Sequence, residues 1–261
     1  MTGVQTCALP ILLIETVSTL ISAGTELGTQ EQPRTNGFAP GYSNAGKIIA
    51  IGSDINDYAV GDRVLSLGRH ATHVTTSATA QSLAIIPDDL TFDQGAYGVL
   101  GSVSLHGVRR AKVELGEFVA ITGMGIVGQL ALQLVSQTGC EILIALDLSN
   151  QRLRVAKDSG ATHVLNPQHV DVYSEINCIT GGRGIDLVIE ASGYPELLPV
   201  AFQLARIGGR VMLLGSIWHR KIEVDFMDFH EKELTLMGCH QPKCPTDRKS
   251  TRLNSSHALI S

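Results

Sequence analysis

Six residues, Gly123-Met124-Gly125-Ile126-Val127-Gly128, have the types and the spacing to grip a pyrophosphate. An apolar run, Phe118 to Ile121, precedes them and a segment of helical period follows, so the glycines fall at a strand-to-helix turn. Gly123 permits the tight turn, Gly125 lets backbone approach the pyrophosphate, and Gly128 lets helix pack on strand. The helix N-terminus, at Ile126 and Val127, then offers free N–H groups and a partial positive charge to the phosphates. A second apolar run ends on Asp147, 19 residues after Gly128. A carboxylate about 20 residues on accepts hydrogen bonds from an adenosine ribose. The plainer alternative is a strand–turn–helix without a ligand. The acid at this distance favours dinucleotide binding.

Two patterns divide the chain that must position these groups. Residues 12–104 carry short β-like runs (ILLIETV, AGKIIAIG, DRVLSL, THVTT, SLAIIP) punctuated by glycine and turn residues, with Val60-Gly61-Asp62-Arg63-Val64 reading as a turn into a strand. From about residue 105 strands alternate with helices. The strands are expected at 118–122, 141–146, 163–165, 186–190, 210–214 and 234–238, the helices around 126–138, 150–159 and 195–206. Six strands joined by crossover helices make an α/β, doubly wound parallel sheet. Arg206-Ile207-Gly208-Gly209-Arg210 reads as a glycine-terminated helix entering the fifth strand.

The two ends read differently. Residues 1–11 and 247–257 look like translated sequencing adapter, because in antiparallel register each residue of one can be encoded by the complement of a codon for its partner: Thr2 opposite Ser256, Gly3 opposite Ser255, and so on to Ile11 opposite Asp247. The expectation is that residues 1–11 and 247–261 are artefact and that 12–246 is an internal fragment. Neither a signal peptide nor a basic nucleic-acid arm is then read from the ends. Setting aside Arg248, Lys249 and Arg252 against Asp247 takes the formal charge from −5 to −7. That charge leaves no footprint for nucleic acid or an anionic membrane surface. No apolar stretch is long enough to span a bilayer. Cys140, Cys178, Cys239 and Cys244 form no C-x-x-C pair, so reduced thiols in the cytoplasm are expected.

Together with PGYSNAGKIIAIG, YAVGDRVLSL, LHGVRRAKVELGE and EKELTLMG, the fingerprint resembles the medium-chain dehydrogenase/reductase (zinc-type alcohol dehydrogenase-like) superfamily over almost all of residues 12–246. ISAGTELG, PGYSNAG and LGSVSLHGVRRA are most similar to a zinc-lacking branch that includes bacteriochlorophyllide a dehydrogenase-like proteins and the dehydrogenase halves of bi-domain oxidoreductases. The resemblance implies an incomplete GroES-like substrate domain over 12–104 and a Rossmann domain over 105–246. It further implies a small-molecule substrate in the cleft between them, and a homodimer through the sixth-strand edge.

Zinc ligands of the superfamily fall, by motif position, on Ala23 in Ala23-Gly24-Thr25-Glu26, on Tyr42 and Ser43 in Gly41-Tyr42-Ser43, and near Val99. Alanine and valine have no donor atom, and tyrosine and serine are poor zinc ligands, so no zinc is expected. Hydrogen-bond donors must then do the work of a Lewis acid. The resemblance puts the proton-relay hydroxyl on Thr25, with Tyr42 and Ser43 facing the same cleft and His106 available as acid or base. Each has a plainer alternative: Thr25 ordering a turn, Tyr42 a packed ring, His106 a structural helix residue.

Asp147 would repel a 2′-phosphate, which favours NAD(H) over NADP(H). Arg152, near the expected adenosine ribose, could instead be an exposed helix arginine. Ala191-Ser192-Gly193 is expected near the adenine side and Gly215-Ser216 along the nicotinamide side, since ligands bind at the carboxyl ends of parallel strands. Gly193 and Gly215 could equally be turn glycines. The reading is an NAD(H)-dependent, zinc-free oxidoreductase that moves hydride between nicotinamide and an alcohol or carbonyl. Its competitors are an enoyl or quinone reductase, and a dinucleotide-binding module without catalysis.

Overall fold

The computed structural model describes residues 11–28, 40–79, 83–215 and 221–240. The ends expected to be artefact lie outside them, except Ile11. The chain divides into two compact units between Val99 and Leu100, five residues before the expected boundary.

The first unit is built on a five-stranded antiparallel sheet. Strand β1 (Ile11–Thr19) is followed by a short helix, α1 (Ala23–Gly28), then β2 (Asn44–Ile51), β3 (Arg63–Ser66), β4 (His73–Ser77), β5 (Ala84–Ile85) and helix α2 (Phe92–Ala96), in sheet order β4-β1-β2-β3-β5. Alternation fixes the register: Leu12 and Ile14 of β1 are buried while Ile11, Glu15 and Val17 are not. Ile14 lies opposite Ile48 of β2, so both reach one apolar cluster. The expected turn before Arg63 is there, with Gly61 at φ +99°. Helix α2 starts with a reciprocal cap between Thr91 and Gln94.

Helix α3 (Gly98–Ala111) begins in the first unit and runs into the second. The second unit then alternates β6 (Phe118–Thr122), α4 (Ile126–Ser136), β7 (Ile142–Leu146), α5 (Asn150–Asp158), β8 (His163–Leu165), α6 (Val172–Ile179), β9 (Ile185–Glu190), α7 (Leu197–Leu204), β10 (Ala205–Leu213), α8 (Phe226–His230) and β11 (Thr235–Gly238). Its six parallel strands run β11-β10-β9-β6-β7-β8, reversing direction of growth between β6 and β9. Every residue of β6 and of β9 is buried, as strands covered on both faces must be. Val119 and Ile121 of β6 pack on the face carrying α4 and α5, and Phe118 and Ala120 on the face carrying α6 and α7. Each fully buried aliphatic contributes about 1.5–3 kcal/mol.

The fifth strand differs from expectation. Helix α7 ends at Leu204 and β10 already pairs with β9 at Ala205, and the register then breaks until Arg210. The glycines therefore make an irregularity inside the strand rather than a helix end: Gly208 sits at φ +69°, and a Cβ on Gly209 would meet the Arg206 carbonyl at 2.8 Å.

Candidate functional site

At the carboxyl end of β6 the glycine turn is assembled backbone against backbone. Gly123 is at φ +88°, and a Cβ there would meet the Ser192 N and Cα at 2.7 Å. A Cβ on Gly128 would lie 1.9 Å from the Gly123 carbonyl oxygen, so only glycine lets α4 seat on the turn. Gly125 is the N-cap of α4 without any side-chain cap, and a Cβ there would meet nothing within 4 Å. The uncapped N-terminus of α4 thus leaves open space beside Gly125, which suits an approaching phosphate, while Val127 packs against the core. Dinucleotide geometry fits these residues.

Asp147 stands where the sequence puts it, just past β7, with its carboxylate already engaged. Oδ2 accepts from the Met124 N–H at 2.7 Å and Oδ1 from the Ser149 N–H at 2.8 Å. The acid therefore ties the glycine turn to the start of α5, and a ribose would share an oxygen that already serves the fold. Arg152 Nη1 lies 3.7 Å from Oδ2 and its side chain is 59% exposed, so it can turn to an added phosphate. Ser192 and Gly193 follow β9 and Gly215 follows β10, where a Cβ on Gly215 would meet the Gly193 N at 2.3 Å. Ser216 lies outside the described residues.

Sequence reasoning missed Glu190, the fully buried last residue of β9. Its Oε1 accepts from the Ser192 N–H at 2.8 Å and the Gly193 N–H at 3.2 Å, and from the Ser192 hydroxyl. An acid closing the apolar run 187–189 was a readable signal. Burial pushes its pKa up, against the pull of the Ser192 and Gly193 hydrogen bonds.

In the first unit two of the expected catalytic side chains meet. Thr25 Oγ1 is 3.3 Å from the Tyr42 hydroxyl, which donates to Ser22 Oγ at 2.8 Å, and Ser22 Oγ donates to Thr25 at 3.4 Å. Ser22 was not foreseen, although it stands three residues before Thr25 at the entry to α1. Beside them Glu26 accepts from the Ser22 N–H at 2.9 Å and lies 3.2 Å from His70 Nε2. His70 carried no sequence signal. Ser43 departs from expectation: it is 1% exposed and its hydroxyl donates to the Ala96 carbonyl, so it fastens α2 to the sheet. His106 belongs to the other unit, on α3. Burial, then Arg110 and Arg109, lower its pKa below the ordinary imidazole value, which keeps it neutral at pH 7.

At the positions aligned with zinc ligands, Val99 packs in the apolar core. Among the described residues no three His, Cys, Asp or Glu side chains gather as a metal site. Cys140, Cys178 and Cys239 are free thiols, and Cys244 lies outside the described residues. No described helix is long and apolar enough to cross a membrane.

A family model described as zinc-binding dehydrogenase matches residues 127–253. The (R,R)-butanediol dehydrogenase of Bacillus subtilis (strain 168) is 30% identical over 234 residues, covering 79% of this chain and 67% of that one. The chain belongs to the zinc-binding dehydrogenase family. Another relative, the D-guloside 3-dehydrogenase of Escherichia coli (strain K12), is 35% identical over 175 residues, which are 67% of this chain and 50% of the relative. The chain thus spans about half the length of that relative. A Sinorhizobium meliloti 1021 protein, solved bound to NADP, shares the fold with a TM-score of 0.85 at 25% identity, the match covering 100% of this chain and 85% of that one.

Proposed function

We propose that this chain carries the cofactor site and part of the proton-transfer site of an NAD(H)-dependent, zinc-free oxidoreductase acting on an alcohol or carbonyl of a small molecule. The observation that carries this reading is the glycine turn: Gly125 opens an uncapped helix end to free space while Asp147 stands beside it, tied to Met124. When bound, the nicotinamide supplies or takes the hydride. The residues of this chain do the rest. The first turn of α4 would hold the pyrophosphate, and Asp147 would accept from the adenosine sugar with a charge that opposes a 2′-phosphate. On the proton side, Tyr42 and Thr25 share a hydrogen-bonded set with Ser22, so a proton given up by the Tyr42 hydroxyl would leave a phenolate to which the Thr25 and Ser22 hydroxyls can donate until solvent returns the proton. Zinc does not fit Ala23 and Val99, which lack donor atoms, and no step is routed through it. A reducing, cytoplasmic setting belongs to the same reading, from the cysteine spacing. As an outer strand of the parallel sheet, β11 is the edge on which a homodimer would form.

Arg152 and the NADP-bound relative support a second reading, in which NADP(H) is the cofactor. Calorimetric titration of the chain with NADH and NADPH separates the two. Tighter NADH binding, by about tenfold or about 1.4 kcal/mol, is expected. Tighter NADPH binding overturns the cofactor choice, and no binding of either overturns the assignment. In the complete protein, Tyr42→Phe should lower kcat about 100-fold on ketone reduction with cofactor affinity unchanged. Turnover with enones alone would instead favour an enoyl or quinone reductase.

A further inference from the structure

We propose that Glu190 is a positioning residue for the dinucleotide, its buried carboxylate gathering the loop after β9 into the surface on which the glycine turn rests. The inference builds on the dinucleotide reading above and adds to it a residue outside the fingerprint. Glu190 lies at the reversal point of the sheet, paired with Thr122 of β6 on one side and Leu213 of β10 on the other. Its side chain holds Ser192 and Gly193 through their N–H groups, and its backbone carbonyl accepts from the Leu214 and Gly215 N–H groups at 2.8 Å each.

Ser192 in turn is the backbone on which Gly123 sits, and Gly123 is the carbonyl on which Gly128 and α4 sit. Gly215 closes the other side, within 2.9 Å (for an added Cβ) of both Gly193 Cα and the Glu190 carboxylate. Glycines at these contacts leave no side chain to absorb a shift, so displacement of the β9 loop passes directly to the phosphate turn. A carboxylate suits this place because its oxygens accept, and each of its described partners donates. A buried acid is costly unless so satisfied. An apolar residue, such as the neighbouring Val188 and Ile189, would fill the sheet without that cost and leave the loop untied. A shift of about 1 Å at such a loop is enough to spoil ligand geometry.

The test compares Glu190→Gln and Glu190→Asp with the unaltered chain by NADH calorimetry, thermal melting and hydrogen exchange. Gln places an NH2 group among donors, and Asp keeps the charge but withdraws it by one methylene. NADH affinity is expected to fall at least tenfold in Glu190→Gln and by a smaller factor in Glu190→Asp, in protein that melts as a folded chain. Amide exchange should quicken at Ser192 and Gly193 and also at Met124 and Gly125, more than 60 residues away in sequence. In the complete protein KM for NADH should rise with kcat at saturation kept. A folded variant that binds NADH within twofold of the unaltered chain, with unchanged exchange at the glycine turn, overturns the inference alone. If Glu190→Gln does not fold, Glu190→Asp decides by the same affinity and exchange readings. Failure of the unaltered chain to bind NADH overturns the dinucleotide reading and this inference together.

Discussion

Strand β9 carries a buried acid near each end, and the surroundings treat the two in opposite ways. Near its start, Asp186 is 2% exposed, accepts from the Phe118 N–H at 2.8 Å and pairs with Arg183 and Arg206. Burial opposes its ionisation, but the Phe118 hydrogen bond and the two guanidinium groups prevail and hold its pKa below the ordinary carboxylate value. At the other end Glu190 is surrounded by N–H and O–H donors, and burial prevails, raising its pKa. Charge is locked where the sheet needs only to be fastened. It is held by loop amides where the sheet opens to a ligand, in keeping with ligand sites at the carboxyl ends of parallel strands. The comparison separates a clamp for the fold from a support for the site.

That separation can be broken by experiment. The largest effect is expected from Asp186→Asn, which leaves Arg183 and Arg206 without their anion and should cost about 3 kcal/mol of stability, with NADH affinity of the folded chain unchanged. Its acid dependence has a definite sign. A depressed folded pKa makes the Asp186 contribution present above the unfolded value of about 3.9 and lost as pH falls through the folded value, so the gap between parent and variant in denaturant melts should close below about pH 4. Glu190 carries the reverse sign, since a raised folded pKa makes its protonation favour folding as pH falls toward about 4.3.

A somewhat smaller loss, about 2 kcal/mol, is expected for Gly128→Ala, whose Cβ would overlap the Gly123 carbonyl. It should damage stability and NADH binding together, and retained binding would show that the turn can reshape. The smallest effect is expected for Gly125→Ala. Its Cβ meets nothing, so melting should not move while NADH affinity falls about tenfold, or about 1.4 kcal/mol, by filling ligand space. Loss of stability instead would make Gly125 a plain turn residue.

The glycine turn was legible because it is a backbone site: spacing along one strand, turn and helix specifies it, and Gly123, Gly125 and Gly128 fall within six residues. The inner strands β6, β7 and β9 were legible for a similar reason, because strands covered on both faces read as short apolar runs. The hydroxyl set was half legible. Motif position pointed to Thr25 and Tyr42, but Ser22 joins them only through folding, and Ser43 is drawn off by the Ala96 carbonyl, 53 residues away.

The amino-acid order alone thus determined the α/β layout, the glycine turn and the acid that follows it, since each is read from residues within one or two consecutive elements. Tertiary structure decided which polar groups are already satisfied. It gave Asp147 to the Met124 and Ser149 amides, placed Ser192 under Gly123 and made Glu190 the anchor of the β9 loop. A hydrogen bond or a backbone contact between distant segments has no local signature, and it exists only once the sheet has set the strands side by side.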